Sequence, residues 1–264
     1  MDLSEFLPQK VCFFDSGIGG LNLLYETAVK LPKTELYYFA DNYKVPYGNL
    51  SSEELDKAVD KIFVEIAKIN PSIAVIACNT VTARCAERLR RKYDFPIVGI
   101  QPAVKEAAHL GGKCVVFATP ATAQSESLKR LIDNYGNNST QVVACPKFAQ
   151  FVEQNIFNLN EEELMSLLPD LKADTVVLGC THYIFVKEAV QKKYGCPVFT
   201  GVDGTVRRIL QLLSVSEGGQ VLPRSPKITF IGGDEEKNKR VFYEVLCKQN
   251  GFWGNFSQKI PKNS

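Results

Sequence analysis

The chain has 264 residues, of which 45% are apolar, 10% aromatic and 23% charged, proportions that exclude a disordered, collagenous or disulfide-scaffold protein. At roughly 150 residues per domain, two small domains sharing one site are the natural organisation. Thirty-one Lys and Arg against 29 Asp and Glu leave a formal charge of +2, too small and too evenly spread to advertise a nucleic-acid partner.

The first ten residues carry Asp2 and Glu5 and no apolar stretch of a secretory signal, so a cytoplasmic location is expected. No apolar run approaches the ~18 residues that cross a bilayer, and no membrane partner is expected. The eight cysteines, at 12, 78, 85, 114, 145, 180, 196 and 247, include no CxxC and read as reduced thiols, mostly buried small hydrophobes.

In chain order, short runs rich in β-branched and aromatic residues alternate with amphipathic ones. Residues 11–14 read as a strand, 21–31 as a helix, 35–40 as a strand, 53–69 as a helix, 73–77 as a strand, 82–93 as a helix and 96–100 as a strand. There follow a helix at 103–109, a strand at 113–118, a helix at 125–135, a strand at 141–144, a helix at 161–168, a strand at 175–178, a helix at 185–194 and a strand at 197–200. A strand at 227–231 and a helix at 235–249 end the pattern. Such alternation predicts an α/β fold with mainly parallel sheets, whose ligands bind at the carboxyl ends of the strands.

The chain also repeats itself. Val75-Ile-Ala-Cys-Asn-Thr80, a helix ending at Lys92-Tyr93 and then Pro96-Ile-Val-Gly99 recur as Val177-Leu-Gly-Cys-Thr-His182, a helix ending at Lys193-Tyr194 and Pro197-Val-Phe-Thr-Gly201. Cys78 and Cys180 are 102 positions apart, and Tyr93 and Tyr194, like Pro96 and Pro197, are 101 apart. A similar offset of 103 aligns Lys10-Val-Cys-Phe-Phe-Asp15 with Lys113-Cys-Val-Val-Phe-Ala118, each a strand opening a half and each leading into a loop of small residues, Asp15-Ser-Gly-Ile-Gly-Gly20 answered by Thr119-Pro-Ala-Thr-Ala-Gln124. A register held that long predicts two pseudo-symmetric α/β domains, 1–100 with 211–264 and 101–210, and an active site in the cleft between them.

Each half then ends a buried strand on a cysteine that opens a helix, where the helix dipole favours a thiolate and lowers the ordinary thiol pKa of about 8.5. A single strand-end cysteine is usually a core residue; the paired register reverses that reading for Cys78 and Cys180. Two thiols on opposite faces of one ligand have the geometry of inversion, one removing a proton while the other delivers one. Asp15-Ser-Gly-Ile-Gly-Gly20 follows a strand and lacks the Lys-Ser/Thr of a phosphate loop, so it suits a carboxylate. His182 polarises more readily than it ligates, because no spaced Cys/His set completes a metal site, and no metal is expected. His109 reads as a helix-end residue, and Arg84, Arg88, Arg90, Arg91 and Lys92 as one solvated helix face.

Asp15-Ser-Gly-Ile-Gly-Gly20, Val45-Pro-Tyr-Gly48, Ala77-Cys-Asn-Thr80 and Gly179-Cys-Thr-His-Tyr183, in that order and spanning nearly the whole chain, together resemble the glutamate racemases. The resemblance implies cofactor-independent interconversion of L- and D-glutamate, supplying D-glutamate for peptidoglycan, with no cofactor and with glutamate as the small-molecule partner. By that likeness Cys78 and Cys180 are the alternating base and acid, Asp15 assists the first thiol and His182 the second, and Glu153 is a further acidic site residue. Ser16, Tyr47, Gly48, Asn79, Thr80, Thr122 and Thr181 are implied to hold the substrate together with Asp15 and His182. The chain departs from the family in Asp41-Asn-Tyr-Lys44 before the Pro-Tyr-Gly motif, in Ile184, and in Lys147 and Gln150 near Glu153. An aspartate or hydantoin racemase relative and a two-lobed anion-binding module without chemistry are the alternatives. A homodimer is compatible with the sequence.

Overall fold

A computed structural model describes residues 9–214 and 226–247. The first half runs β1 (Lys10–Asp15), α1 (Leu21–Lys30), β2 (Glu35–Ala40), α2 (Ser52–Ile69), β3 (Ile73–Ile76), α3 (Asn79–Lys92) and β4 (Ile97–Gly99). The second runs α4 (Val104–Ala108), β5 (Cys114–Ala118), α5 (Pro120–Ala123), α6 (Glu126–Tyr135), β6 (Gln141–Ala144), α7 (Phe148–Asn155), α8 (Glu161–Ser166), β7 (Thr175–Gly179), α9 (Lys187–Tyr194) and β8 (Val198–Thr200). A 3₁₀ segment, Thr181–Val186, joins β7 to α9. The chain then adds α10 (Val202–Leu212), β9 (Lys227–Ile231), α11 (Glu235–Arg240) and a π-helical segment, Val241–Cys247. The expectations for residues 1–8 and 248–264, including the far end of the 235–249 helix, fall outside the described residues.

The two sheets are parallel and share one strand order. The first reads β4-β3-β1-β2-β9 and the second β8-β7-β5-β6, so the sequence repeat is a topological one, with β9 as the added edge. Register repeats as well: Val11 faces Ile73 in the first sheet as Cys114 faces Thr175 in the second. The central strands read Val-Cys-Phe-Phe, Ile-Ala-Val-Ile, Cys-Val-Val-Phe and Thr-Val-Val-Leu and are buried throughout, because helices cover both faces. Cys12 and Cys114 lie in these strands and are core residues, as expected.

Two longer helices are absent from the expected set. α10 buries Val202, Thr205, Val206, Ile209 and Leu210 as one stripe and packs on α1 and β4, carrying the chain back to the first sheet. α7 buries Phe148, Ala149, Val152 and Glu153, while Lys147 and Gln150 face solvent. The basic face of α3 is tied down: Arg88 pairs with Asp60 at 2.7 Å and Asp56 at 2.9 Å on α2, and Lys92 reaches Asp60 at 3.3 Å. The helix boundary at His109 is followed by Gly111 at φ +69° and Gly112 at φ +73°, a left-handed turn that glycine adopts without steric cost. The carboxyl ends of β1 and β3 meet those of β5 and β7, which places the following loops against one another across the two halves.

Candidate active site

β1 ends in Asp15, and the Gly17-Ile-Gly-Gly20 turn behind it is shaped by space. A Cβ at Gly17 would run into the Glu153 carboxylate, and one at Gly19 into Thr181 and His182, 2.8 Å from the His182 backbone nitrogen. Only the absence of a side chain lets this loop of the first half lie against the second. Tyr38 on β2 donates its hydroxyl to Gly17 O at 2.6 Å and holds the turn from below. Asp15 is fully buried, accepting from Gly17 N at 2.8 Å and from the Thr181 hydroxyl at 3.0 Å. A residue of β1 thereby bonds directly to the second cysteine motif.

Cys78 closes β3 at the N-cap of α3, and its thiol points to Ser16 Oγ at 3.7 Å. Asn79 and Thr80 form the first turn of that helix, where free backbone N–H groups favour a carboxylate. The Thr80 hydroxyl lies 3.0 Å from that of Thr119 and 3.4 Å from that of Thr122, a cluster made from both halves. Tyr47 is buried against Phe14 and donates to Asp41 Oδ2 at 2.9 Å, while Gly48 lies against Thr119 closely enough that a Cβ would sit 3.2 Å from the Thr119 Cβ.

Cys180 closes β7 in the corresponding position, and its sulfur is 4.0 Å from His182 Nδ1. The other ring nitrogen, Nε2, is 2.7 Å from Glu153 Oε2. Glu153 therefore fixes the orientation of the imidazole and aims Nδ1 at the thiol. Glu153 Oε2 also accepts from Ile18 N at 2.9 Å, and Oε1 accepts from Asn42 Nδ2 at 2.9 Å and Lys237 Nζ at 2.8 Å.

Burial and charge set the electrostatics of the site. Burial, and then the Asp15 carboxylate, push the Cys78 thiol up to about 12. The expected lowering at a helix start is not met there, because the N–H of Val81 pulls the value down by less than desolvation raises it. Burial also lifts Asp15 to about 6, against the pull of His182, the Gly17 N–H and the Thr181 hydroxyl. Burial alone would lower the His182 pKa, but its contacts with Cys180 and Glu153 outweigh that and hold it well above the ordinary histidine value. Glu153, despite burial, is held down to about 2 by His182, Lys237 and the Ile18 N–H.

The residues singled out from sequence are thus brought together, and all but Gly48 are buried. Four contributors were not singled out: Thr119, Tyr38, Asn42 and Lys237. Thr119 was accessible, since it answers Ser16 at the repeat offset of 103. The departing segment Asp41-Asn-Tyr-Lys44 is built into the site, through Asp41 on Tyr47 and Asn42 on Glu153, and Lys44 lies 3.7 Å from Asp41. Ile184 packs half-buried against the core. Among the described residues no three His, Cys, Asp or Glu side chains are grouped to hold a metal ion, and no helix is long and apolar enough to cross a membrane.

Residues 24–209, which include both cysteine motifs, match the family model for Asp/Glu/hydantoin racemases. The chain is 38% identical over 221 residues to the glutamate racemase of Clostridium novyi (strain NT), covering 80% of this chain and 84% of that one. It is 35% identical over 256 residues to glutamate racemase 2 of Bacillus subtilis (strain 168), covering 90% and 93%. Its fold is similar to that of the Escherichia coli glutamate racemase solved with L-glutamate and the activator UDP-MurNAc-ala, with a TM-score of 0.76, 26% identity and coverage of 92% and 95%.

Proposed function

Because this chain belongs to the Asp/Glu/hydantoin racemase family, we propose that it interconverts L- and D-glutamate with Cys78 and Cys180 as the two proton-transferring groups. The observation that carries the mechanism is the equivalence of the two thiols, each ending the same strand of a repeated sheet, with their neighbours bonded across the halves through Thr181 and Asp15. A substrate lying between them presents one face of its α-carbon to each sulfur.

In one direction the proton between Cys180 and His182 rests on the imidazole, so Cys180 begins as the thiolate of a thiolate–imidazolium pair and removes the α-hydrogen. An S–H bond forms, the C–H bond breaks, and the electron pair passes into the α-carboxylate. The protonated thiol of Cys78 then gives its hydrogen to the opposite face, so its S–H bond breaks, a new C–H bond forms and the carbon inverts. The reverse direction begins with Cys78 as thiolate, its proton passing toward Asp15. The hydroxyls of Ser16, Thr80, Thr119, Thr122 and Thr181 and the amide of Asn79 hold the carboxylates and ammonium, and the α3 N-terminus receives one carboxylate. Tyr47 and Gly48 close the mouth. The two halves enclose the substrate, and the packing of α10 on α1 favours a return of the chain to the first half near Val202, earlier than residue 211. The reaction supplies D-glutamate for peptidoglycan in the cytoplasm.

The test is L-glutamate in D₂O with freshly reduced protein and no added cofactor, followed by NMR of the α-proton and by circular dichroism. Loss of the α-proton with ellipticity decaying to zero supports the reading, and aspartate in parallel sets the substrate. Exchange with aspartate alone would move the assignment to the aspartate branch, and exchange with neither would return the chain to an anion-binding module.

A further inference from the structure

The two halves repeat strand for strand, but the surroundings of the thiols do not, and part of the difference comes from outside the repeat. Lys237 lies on α11, in the segment appended after β9. Its ammonium makes two hydrogen bonds, to the Glu153 backbone oxygen at 2.6 Å and to Glu153 Oε1 at 2.8 Å. Asn42 donates to the same Oε1 at 2.9 Å and is itself locked to α11 by paired amide contacts with Asn238, at 3.2 and 3.0 Å, and by Asp234 N at 3.1 Å. The Glu153 carboxylate thus receives one oxygen's contacts from α11 and the loop after β2, and the other's from Ile18 N and His182. Among the described residues no lysine is hydrogen-bonded to Asp15, whose hydrogen-bond partners are Gly17 N and Thr181 and on which His182 acts only through space.

Charge decides what this does. The groups facing His182 are Glu153, Cys180 and Asp15, and those facing Glu153 are His182, Lys237, Asn42 and Ile18 N. With an imidazolium in place, Asp15 and Glu153 are balanced only when Lys237 is present. Removing it leaves a buried excess of negative charge beside His182, where the Cys180 thiolate must form, in surroundings that screen poorly. The ammonium also fixes the side chain that aims the imidazole.

We infer that Lys237 and Asn42 are positioning residues for the Cys180 half of the reaction, acting through Glu153 on His182; this rests on the two-thiol reading above. A merely structural clasp between α11 and α7 would affect both half-reactions alike. The two are separated by single-thiol variants in D₂O: Cys78→Ser leaves Cys180 as the one base, and Cys180→Ser leaves Cys78, so each washes out the α-hydrogen of one enantiomer. Introducing Lys237→Gln into each tests the inference. Wash-out by Cys180 is expected to slow about ten-fold, the scale of a lost charge-assisted bond to a buried carboxylate, while wash-out by Cys78 changes less than about two-fold.

Lys237→Arg should restore the Cys180 rate within about three-fold, since it keeps the charge and a donor toward Oε1. In a Glu153→Gln background Lys237→Gln should add little, because the group it acts through has lost its charge. Equal slowing of both half-reactions, no slowing of either, or full additivity with Glu153→Gln would overturn the inference while leaving the two-thiol reading intact. Absence of wash-out in both single-thiol variants would overturn that reading and the inference with it. Asn42→Ala, which removes the second donor while keeping the lysine, should slow the Cys180 half-reaction in the same selective way, and decides the matter if the Lys237 variants fold poorly.

Discussion

Asp15→Asn should make the protein more stable while impairing it as a catalyst. The Asp15 carboxyl is fully buried and lifted from 3.8 to about 6, chiefly by desolvation. At about 1.4 kcal/mol per tenfold change, holding it ionised in the folded state at neutral pH costs about 3 kcal/mol. Asparagine keeps the geometry: Oδ1 still accepts from Gly17 N, and the Thr181 hydroxyl, which now donates, can turn to accept from the new amide. The sign follows from linkage. A group whose pKa is raised on folding favours the folded state most when protonated, so its contribution is lost as pH rises through the folded value. The variant, which mimics the protonated form, should therefore gain about 3 kcal/mol over the parent at pH 8, about half of that at pH 5 and little at pH 4. For a chain of this size the gain at pH 8 corresponds to a rise of roughly 6–10 °C in Tm. Urea unfolding across this range gives the comparison. A variant no more stable than the parent at pH 8, or a gap that does not move with pH, would refute the argument that desolvation of a charged Asp15 dominates its energetics.

Glu153→Gln should act in the opposite sense, because it leaves the buried His182 and the half-buried Lys237 without their counter-charge; a loss of about 3 kcal/mol is expected at pH 7 in urea unfolding. The carboxylate is held down to about 2, so its contribution is complete above the ordinary carboxylate range and is lost as pH falls toward 2. Gly19→Ala places a methyl 2.8 Å from the His182 backbone nitrogen, and should cost about 1–3 kcal/mol of stability and about a hundred-fold in kcat through displacement of the imidazole. Thr119→Val removes the central hydroxyl of the Thr80–Thr119–Thr122 cluster and should raise KM on the order of five-fold with kcat little changed, read from initial rates in both directions.

What the residues disclosed and what they withheld divide along a physical line. The alternation of strands and helices in each half, the placement of Cys78 and Cys180 and the meeting of their loops were legible because a repeat shows itself locally, element by element and at a near-constant offset. α7 was hidden because it is eight residues long and follows the Cys145-Pro146 break, and its exposed Lys147 and Gln150 interrupt the apolar pattern at the positions a helix turns to solvent. Lys237 carried no local signal, and Asn42 only that of a segment departing from the family pattern. They lie 84 and 111 positions from Glu153, and a lysine on a short polar helix reads as a surface residue until the fold brings a buried carboxylate to it. The raised pKa of Cys78 was equally out of reach, since a helix start argues for lowering and only the extent of burial reverses the balance.

The unequal surroundings of the two thiols have a consequence that equilibrium rates conceal. L- and D-glutamate have the same free energy in an achiral solvent, so kcat/KM must be equal in the two directions however differently Cys78 and Cys180 are assisted. The asymmetry must appear in which proton transfer limits each direction. On the Cys180 side a histidine, oriented by Glu153, stands ready to exchange a proton with the thiol; on the Cys78 side the thiol is pushed up to about 12 and faces Asp15 and Ser16. Forming the Cys78 thiolate is costly, because burial and the Asp15 carboxylate oppose the charge and no histidine lies against that sulfur among the described residues. Deprotonation by Cys78 should then limit the direction it begins, and α-deuterated substrate should show a larger primary isotope effect on kcat/KM in that direction than in the other. The direction is identified by the enantiomer whose α-hydrogen the Cys180→Ser variant still exchanges. Equal isotope effects for the two enantiomers, or the larger effect on the enantiomer that Cys180 deprotonates, would show that the groups around the thiols do not set the barriers in this way.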